Sequence, residues 1–151
     1  MPAVPAVPEA PLAAIRSLPS WLLGRAADRG RALVAEALAA EGLKMWHHVV
    51  LSAVRDLAPV AQADLGRGVR LDPKDLVGVL NDLQAAGLVV REPDPEDRRK
   101  NAVSLTAQGA RLLERCEEAA RAANDELLAP LTAAERDRFL ALLIRISGTE
   151  G

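Results

Sequence analysis

From Leu12 to Ala40 apolar residues recur at helical spacing, with Leu22, Leu23, Ala26, Leu33, Ala37 and Leu38 in repeat. Pro19 interrupts that run and predicts a restart at Ser20, and Gly42 ends it. Lys44 to Asp56 predicts a second helix presenting Met45, Val49, Leu51 and Val54. After Pro59, a short helix is expected from Val60 to Arg67, stopped by Gly66 and Gly68. The next start is more complete. Asp72 can cap, Pro73 suits the first helical position, Asp75 stands where a capping acid belongs, and Leu71 with Leu76 can form a hydrophobic staple. That helix, 72–86, should bury Leu76, Leu80 and Leu83 plus either Val77 or Val79, and stop near Gly87. Alternation then replaces helical spacing. Leu88 to Arg91 predicts a strand, and Val103 with Leu105, Asn101 and Ser104 pointing the other way, its partner. A long helix is expected from Thr106 to Leu128, closed by Pro130. Thr132-Ala-Ala-Glu135 is a capping box for a last helix to Ile146.

Helix, helix, short helix, capped helix, strand, turn, strand, long helix, helix describes a mainly α fold with a small two-stranded β-wing. Residues 42–105 form a winged helix-turn-helix. Segments 12–41 and 106–147 flank it within a single domain, 12–151. One small module cannot cover two flanking segments so rich in Leu and Ala, so they are expected to form a homodimer interface. Prolines at 2, 5, 8 and 11 make residues 1–11 an extended, flexible arm.

Composition narrows the chemistry. The 151 residues include half that are hydrophobic, enough for one core. A net charge of −2 gives no global field for a polyanion, so any nucleic-acid contact must come from a local patch. A single cysteine, Cys116, excludes an internal disulfide and suits a reducing cytosol. No apolar run has the length of a membrane span and no signal-peptide pattern is present, so a cytoplasmic protein with no membrane partner is expected. No phosphate loop, nucleophile elbow or zinc-protease motif occurs, so catalysis and cofactors are not expected.

The local patch lies in the turn between the strands. In Glu92-Pro-Asp-Pro-Glu-Asp-Arg-Arg-Lys100 three cations follow a run of acids and prolines. Gly87-Leu88-Val89, Arg91, Asp97-Arg98-Arg99 and Val103-Ser-Leu-Thr-Ala-Gln-Gly109 together resemble the wing signature of the MarR family, dimeric winged helix-turn-helix transcription regulators often responsive to small ligands. Gly42-Leu43 and Asp64-Leu65 also fall where that family places similar residues, and the resemblance extends over about residues 20 to 147.

The resemblance implies a sequence-specific DNA-binding regulator: a repressor on a near-palindromic duplex operator, released by an amphipathic phenolic or carboxylate ligand. Asp97 would hold Arg99 and aim it into a minor groove, while Arg98, Lys100 and Arg91 neutralise phosphates. The capped helix would read the major groove through Pro73, Lys74, Val77, Gly78 and Asn81. The chain departs from the family where a hydroxyl residue and an arginine are usual, carrying Val77 and Gly78, and has Asp82 at an often basic position. Direct readout is therefore expected to be thin. Asp75 is assigned to capping. The alternative is a winged helix used for protein–protein contacts, or one with weak, non-specific DNA binding.

Effectors in this family often bind between the dimerisation helices and the winged module. Trp21, Arg25 and Arg29, with Trp46, His47 and His48, are the candidate lining. The competing reading makes Trp46 and one histidine core or interface residues. Adjacent helical histidines diverge by about 100°, a poor metal pair, so no metal is expected. Cys116 sits among Arg115, Glu117 and Glu118, far from the N-terminal position of the family's peroxide-sensing cysteines, so an inert thiol is expected.

Overall fold

The computed structural model describes residues 12–149, so the proline-rich arm assigned to residues 1–11 lies outside the described residues. A four-residue turn, α1 (Ala13–Arg16), leads into α2 (Pro19–Ala40). The restart falls at Pro19 and not at Ser20, because proline's fixed φ suits the first helical position while Leu18, extended at φ −69°, takes the cap. Gly42 ends α2 at φ 77°. Its N–H and that of Leu43 bond back to the carbonyls of Ala39 and Leu38, the Schellman arrangement.

α3 (Met45–Leu57) buries Val50, Leu51 and Val54. Val50 takes the place expected for Val49, and Met45 lies exposed at the helix start. β1 (Val60–Ala61) and α4 (Gln62–Val69) follow. The predicted helix at Val60 therefore begins two residues later. It also runs through both glycines that were expected to stop it. Gly66 is buried, and a Cβ there would meet the Leu76 side chain at 3.2 Å. Its role is close packing against the next helix. The terminator is Arg70, left-handed at φ 57°.

α5 (Pro73–Ala85) ends at Gly87, φ 74°, by a second Schellman pair. β2 (Val89–Pro93) and β3 (Asn101–Leu105) form the wing, with Arg91 opposite Val103 and Pro93 opposite Asn101. The sheet has three antiparallel strands and not the expected two: β1 adds to β3 through Val60–Val103 and Ala61–Ala102. Asn101 shares Val103's side of β3, being two residues away, and the buried neighbour on the other side is Ala102.

α6 (Ala107–Leu127) and α7 (Ala133–Ser147) complete the chain. Thr106 joins wing to α6: its hydroxyl donates to Gly87 O at 2.7 Å and accepts Gly109 N–H at 2.9 Å. Thr106→Ala removes both bonds and is expected to cost about 1–2 kcal/mol, read from chemical denaturation. A midpoint unchanged from wild type would refute that double role. The capping box of α7 forms as expected, Thr132 and Glu135 bonding each other's backbone N–H groups at 2.9 and 3.2 Å. The Thr132 backbone N–H, and then its hydroxyl, hold the Glu135 carboxyl below the usual carboxylate range.

The core lies where α3, α4 and α5 meet the sheet and α6. Leu38, Leu51, Leu65, Leu80, Leu83, Leu113, Val103 and Cys116 are fully buried there. Each fully buried leucine of this kind contributes about 1.5–3 kcal/mol. No charged or polar residue is buried among the described residues. The outer helices differ. α7 buries nothing, and Ile15, Leu18, Leu22, Leu140, Ile144 and Ile146 stay exposed along α1, α2 and α7.

Candidate nucleic-acid interface

α5 is positioned from its first residue. The Asp72 carboxylate accepts the Lys74 N–H at 2.8 Å and Pro73 takes the first helical position. Asp75 makes no reciprocal capping bond, contrary to its assignment. It stands in the first turn, where a negative charge meets the positive end of the helix dipole. Leu76, Leu80 and Leu83 face the core, and Val79, the alternative to Val77, packs beside them. Val77 is thereby left exposed. Lys74, Gly78 and Asn81 form the outward ridge. A Cβ built on Gly78 meets nothing within 4 Å, so that point of the helix is open surface.

The wing tip is built by aspartates. Asp94 accepts Glu96 N–H at 2.9 Å, and Asp97 accepts both the backbone N–H of Arg99 at 3.1 Å and its Nε–H at 3.4 Å. Lys100 N–H donates to Asp97 O, and Asp94 N–H to Lys100 O, which closes the turn. Asp97 thus orders the turn and orients the arginine. The Arg99 side chain is 92% exposed. Arg98 and Lys100 are exposed beside it.

Arg91 sits apart from that group. Its Nε–H donates to Gln84 at 2.7 Å and its terminal nitrogen to Asn81 at 2.6 Å. It braces the wing against α5, whereas the sequence reading gave it a phosphate. The same bond occupies the Asn81 carbonyl oxygen that pairing with adenine would use.

Two cations escaped the sequence reading. Arg67 and Arg70 line a groove of about 570 Å³ with Pro73, Val77, Lys100 and Asn101, between α4, the start of α5 and the wing. Arg67 is paired with Asp64 one turn earlier. The readable signal was an arginine immediately before the capped start Leu71-Asp72-Pro73. It was masked by treating the adjacent glycines as terminators.

The candidate ligand residues do not share one cavity. A hollow of about 630 Å³ lies between α2, α6, α7 and the start of α3, lined by Arg29, Met45, Asn124, Leu127, Phe139 and Leu143 among others. Of the six candidates only Arg29 lines it, and Arg29 also donates to Leu127 O at 3.4 Å. Arg25 stacks over Trp21 at 5.6 Å from the ring centre. Trp46 is exposed and His48 half-buried at the start of α3. His47 has both ring nitrogens engaged, one by Lys44 N–H and one by Asp82, and so is not a free polar handle.

Cys116 is buried in α6. Burial pushes its thiol up, and Glu41 adds to the effect, both of which disfavour the reactive thiolate. Among the described residues no group of three or more His, Cys, Asp or Glu is placed to hold a metal ion, and no helix is long and apolar enough to cross a membrane.

The known proteins similar to this chain share this layout. A profile described as the MarR family matches residues 41–100, which span the helix-turn-helix and the wing tip. The HTH-type transcriptional repressor NicR of Pseudomonas putida is 36% identical over 122 residues, 81% of this chain and 77% of that protein. The Mycobacterium tuberculosis MarR family protein Rv2887, solved in complex with DNA, superposes with a TM-score of 0.74 at 30% identity, covering 86% of this chain and 98% of that one. Bordetella bronchiseptica BpsR, whose DNA binding is regulated by 6-hydroxynicotinic acid, superposes with a TM-score of 0.73 at 30% identity, covering 89% and 96%. With α5 capped by Asp72, a wing carrying Asp97 and Arg99, and relatives matched over most of their length, the chain belongs to the MarR family of winged helix-turn-helix transcriptional regulators.

Proposed function

We propose that this protein is a homodimeric repressor that binds a near-palindromic DNA operator and is released by a small hydroxylated aromatic acid. The observation that carries this reading is the wing tip, where Asp97 holds Arg99 with its side chain 92% exposed. A single projecting guanidinium fits a narrow minor groove, where negative potential is concentrated. Lys74, Arg67, Arg70, Arg98 and Lys100 supply phosphate contacts around it, and Pro73, Val77, Gly78 and Asn81 complete the surface offered to the major groove. The overall charge of −2 is no obstacle, since Arg67, Arg70 and Lys100 come together along one groove.

The apolar surface left exposed on α1, α2 and α7 among the described residues supports dimerisation. The effector class rests on the 630 Å³ hollow, apolar with Arg29 at its wall, and on the regulation of BpsR by 6-hydroxynicotinic acid. Ligand binding there would favour a wing separation that DNA does not accept. The protein works as a binding switch and performs no chemistry.

Selection from a random duplex pool followed by hydroxyl-radical footprinting tests this. Two symmetric half-sites about one helical turn apart are expected, each flanked by a protected minor groove, with protection lost on adding 6-hydroxynicotinic acid or a related hydroxybenzoate. Continuous, sequence-independent protection would contradict the specific-repressor reading. The rival use as a protein-contact module predicts no selected sequence at all.

A further inference from the structure

His47 links the turn after α2 to the DNA-facing helix. It is the third residue of α3, and its Nδ1 accepts the Lys44 backbone N–H at 3.1 Å. Its Nε2 stands 3.1 Å from Asp82 Oδ2 on α5. Since Nδ1 accepts, the ring proton sits on Nε2 and is donated to the carboxylate. The histidine side chain is 15% exposed and the aspartate 68%, so the ring anchors from behind a carboxylate that faces solvent. The turn that supplies Lys44 is itself tied to α6, through Glu41 and Arg115 at 3.1 Å.

Asp82's position gives the link its meaning. At about 100° per residue, Asp82 lies on the flank of α5 away from Val77, next to the ridge of Lys74, Gly78 and Asn81. A helix seated in a major groove has phosphates along both flanks. An unrestrained carboxylate there repels the backbone, and one held by a ring N–H is kept from turning toward it.

We infer that His47 is a positioning residue for DNA binding: it fixes α5 to the start of α3 and holds Asp82 off the phosphates. This rests on the DNA-binding reading above. The test measures affinity for the selected duplex and for a scrambled one, with a melting temperature for each protein: wild type, His47→Ala, His47→Gln, Asp82→Ala and the double variant His47→Ala with Asp82→Ala. His47→Ala frees a carboxylate in each half-site and is expected to weaken binding about tenfold, about threefold per half-site. Glutamine can accept the cap N–H and still donate to Asp82, so His47→Gln should stay within about threefold of wild type. The double variant should recover most of the affinity lost by His47→Ala while keeping its lowered melting temperature, because the cap is still missing. Unchanged affinity in His47→Ala overturns the inference. So does a double variant no tighter than His47→Ala, which reduces His47 to a helix cap. Failure of the wild type to prefer the selected duplex sinks the DNA-binding reading and this inference together, and is visible before any variant is compared.

Discussion

Replacing Arg99 with alanine is expected to weaken operator binding about 100-fold and to leave the melting temperature where it is. The two halves of that expectation have separate causes. The side chain is 92% exposed and pairs with Asp97, so the fold loses one exposed ion pair, worth about 0–1 kcal/mol. The complex loses a guanidinium from each of two wings. A groove-reading arginine is worth about 1–3 kcal/mol, and two independent losses of about 1.4 kcal/mol, toward the lower end of that range, multiply to about 100-fold. Arg99→Lys should fall between, since lysine keeps the charge and loses the planar fork. Asp97→Ala should also weaken binding, because the same carboxylate orders the turn through Arg99 N–H. Binding by Arg99→Ala within twofold of wild type would show that the wing tip does not enter the groove.

The second large effect is on stability. Gly109→Ala is expected to cost about 3 kcal/mol or more, a fall in melting temperature of about 6–12 °C for a chain of this length. A Cβ at Gly109 would stand 2.0 Å from Leu88 O and 2.9 Å from Leu88 C. Those are backbone atoms at the entrance to β2, and they cannot swing aside like a side chain. Leu88 O also accepts Thr106 N–H at 3.1 Å, so moving it breaks the junction between wing and α6. The glycine is needed for approach, one turn into α6, and not for a positive φ. A melting temperature within about 2 °C of wild type would mean that α6 does not pack against Leu88 as described.

How much of this was legible in the sequence depended on whether a feature is local. The capped start Asp72-Pro73 and the capping box Thr132 to Glu135 are settled by residues a few positions apart, and both formed. The wing's Asp97–Arg99 contact spans two residues and also formed. β1 was invisible because two residues cannot display alternation, and its existence depends on β3, some forty residues away. Gly66 was misread for the same reason: a glycine that ends a helix and one that admits a neighbouring leucine look alike until the neighbour is placed. The choice between Val77 and Val79 was likewise made by the packing around α5.

The candidate site divides along the same line. The cations of the turn were found because they cluster in sequence. Arg67 and Arg70 share a groove with Lys100 but come from another element, and were missed. Arg91 was correctly placed on the wing, but its partners Asn81 and Gln84 lie on α5, so its brace could not be read. His47 was singled out for its chemistry, and its engagement with Asp82, 35 residues on, appears only in three dimensions. The ligand residues were chosen by type and proximity to a junction. The hollow is formed by three helices and the start of a fourth, and it selects Arg29 and Met45 while leaving Trp46 outside.

The most direct measurement is fluorescence anisotropy of the wild-type protein on its selected duplex and on a scrambled duplex, from 50 to 200 mM salt. Saturable binding about 10³-fold or more tighter on the selected duplex, with affinity falling steeply as salt rises, is the expected result. Equal affinity for the two duplexes, at every salt concentration, would contradict the assignment of this wing and helix to sequence-specific DNA recognition.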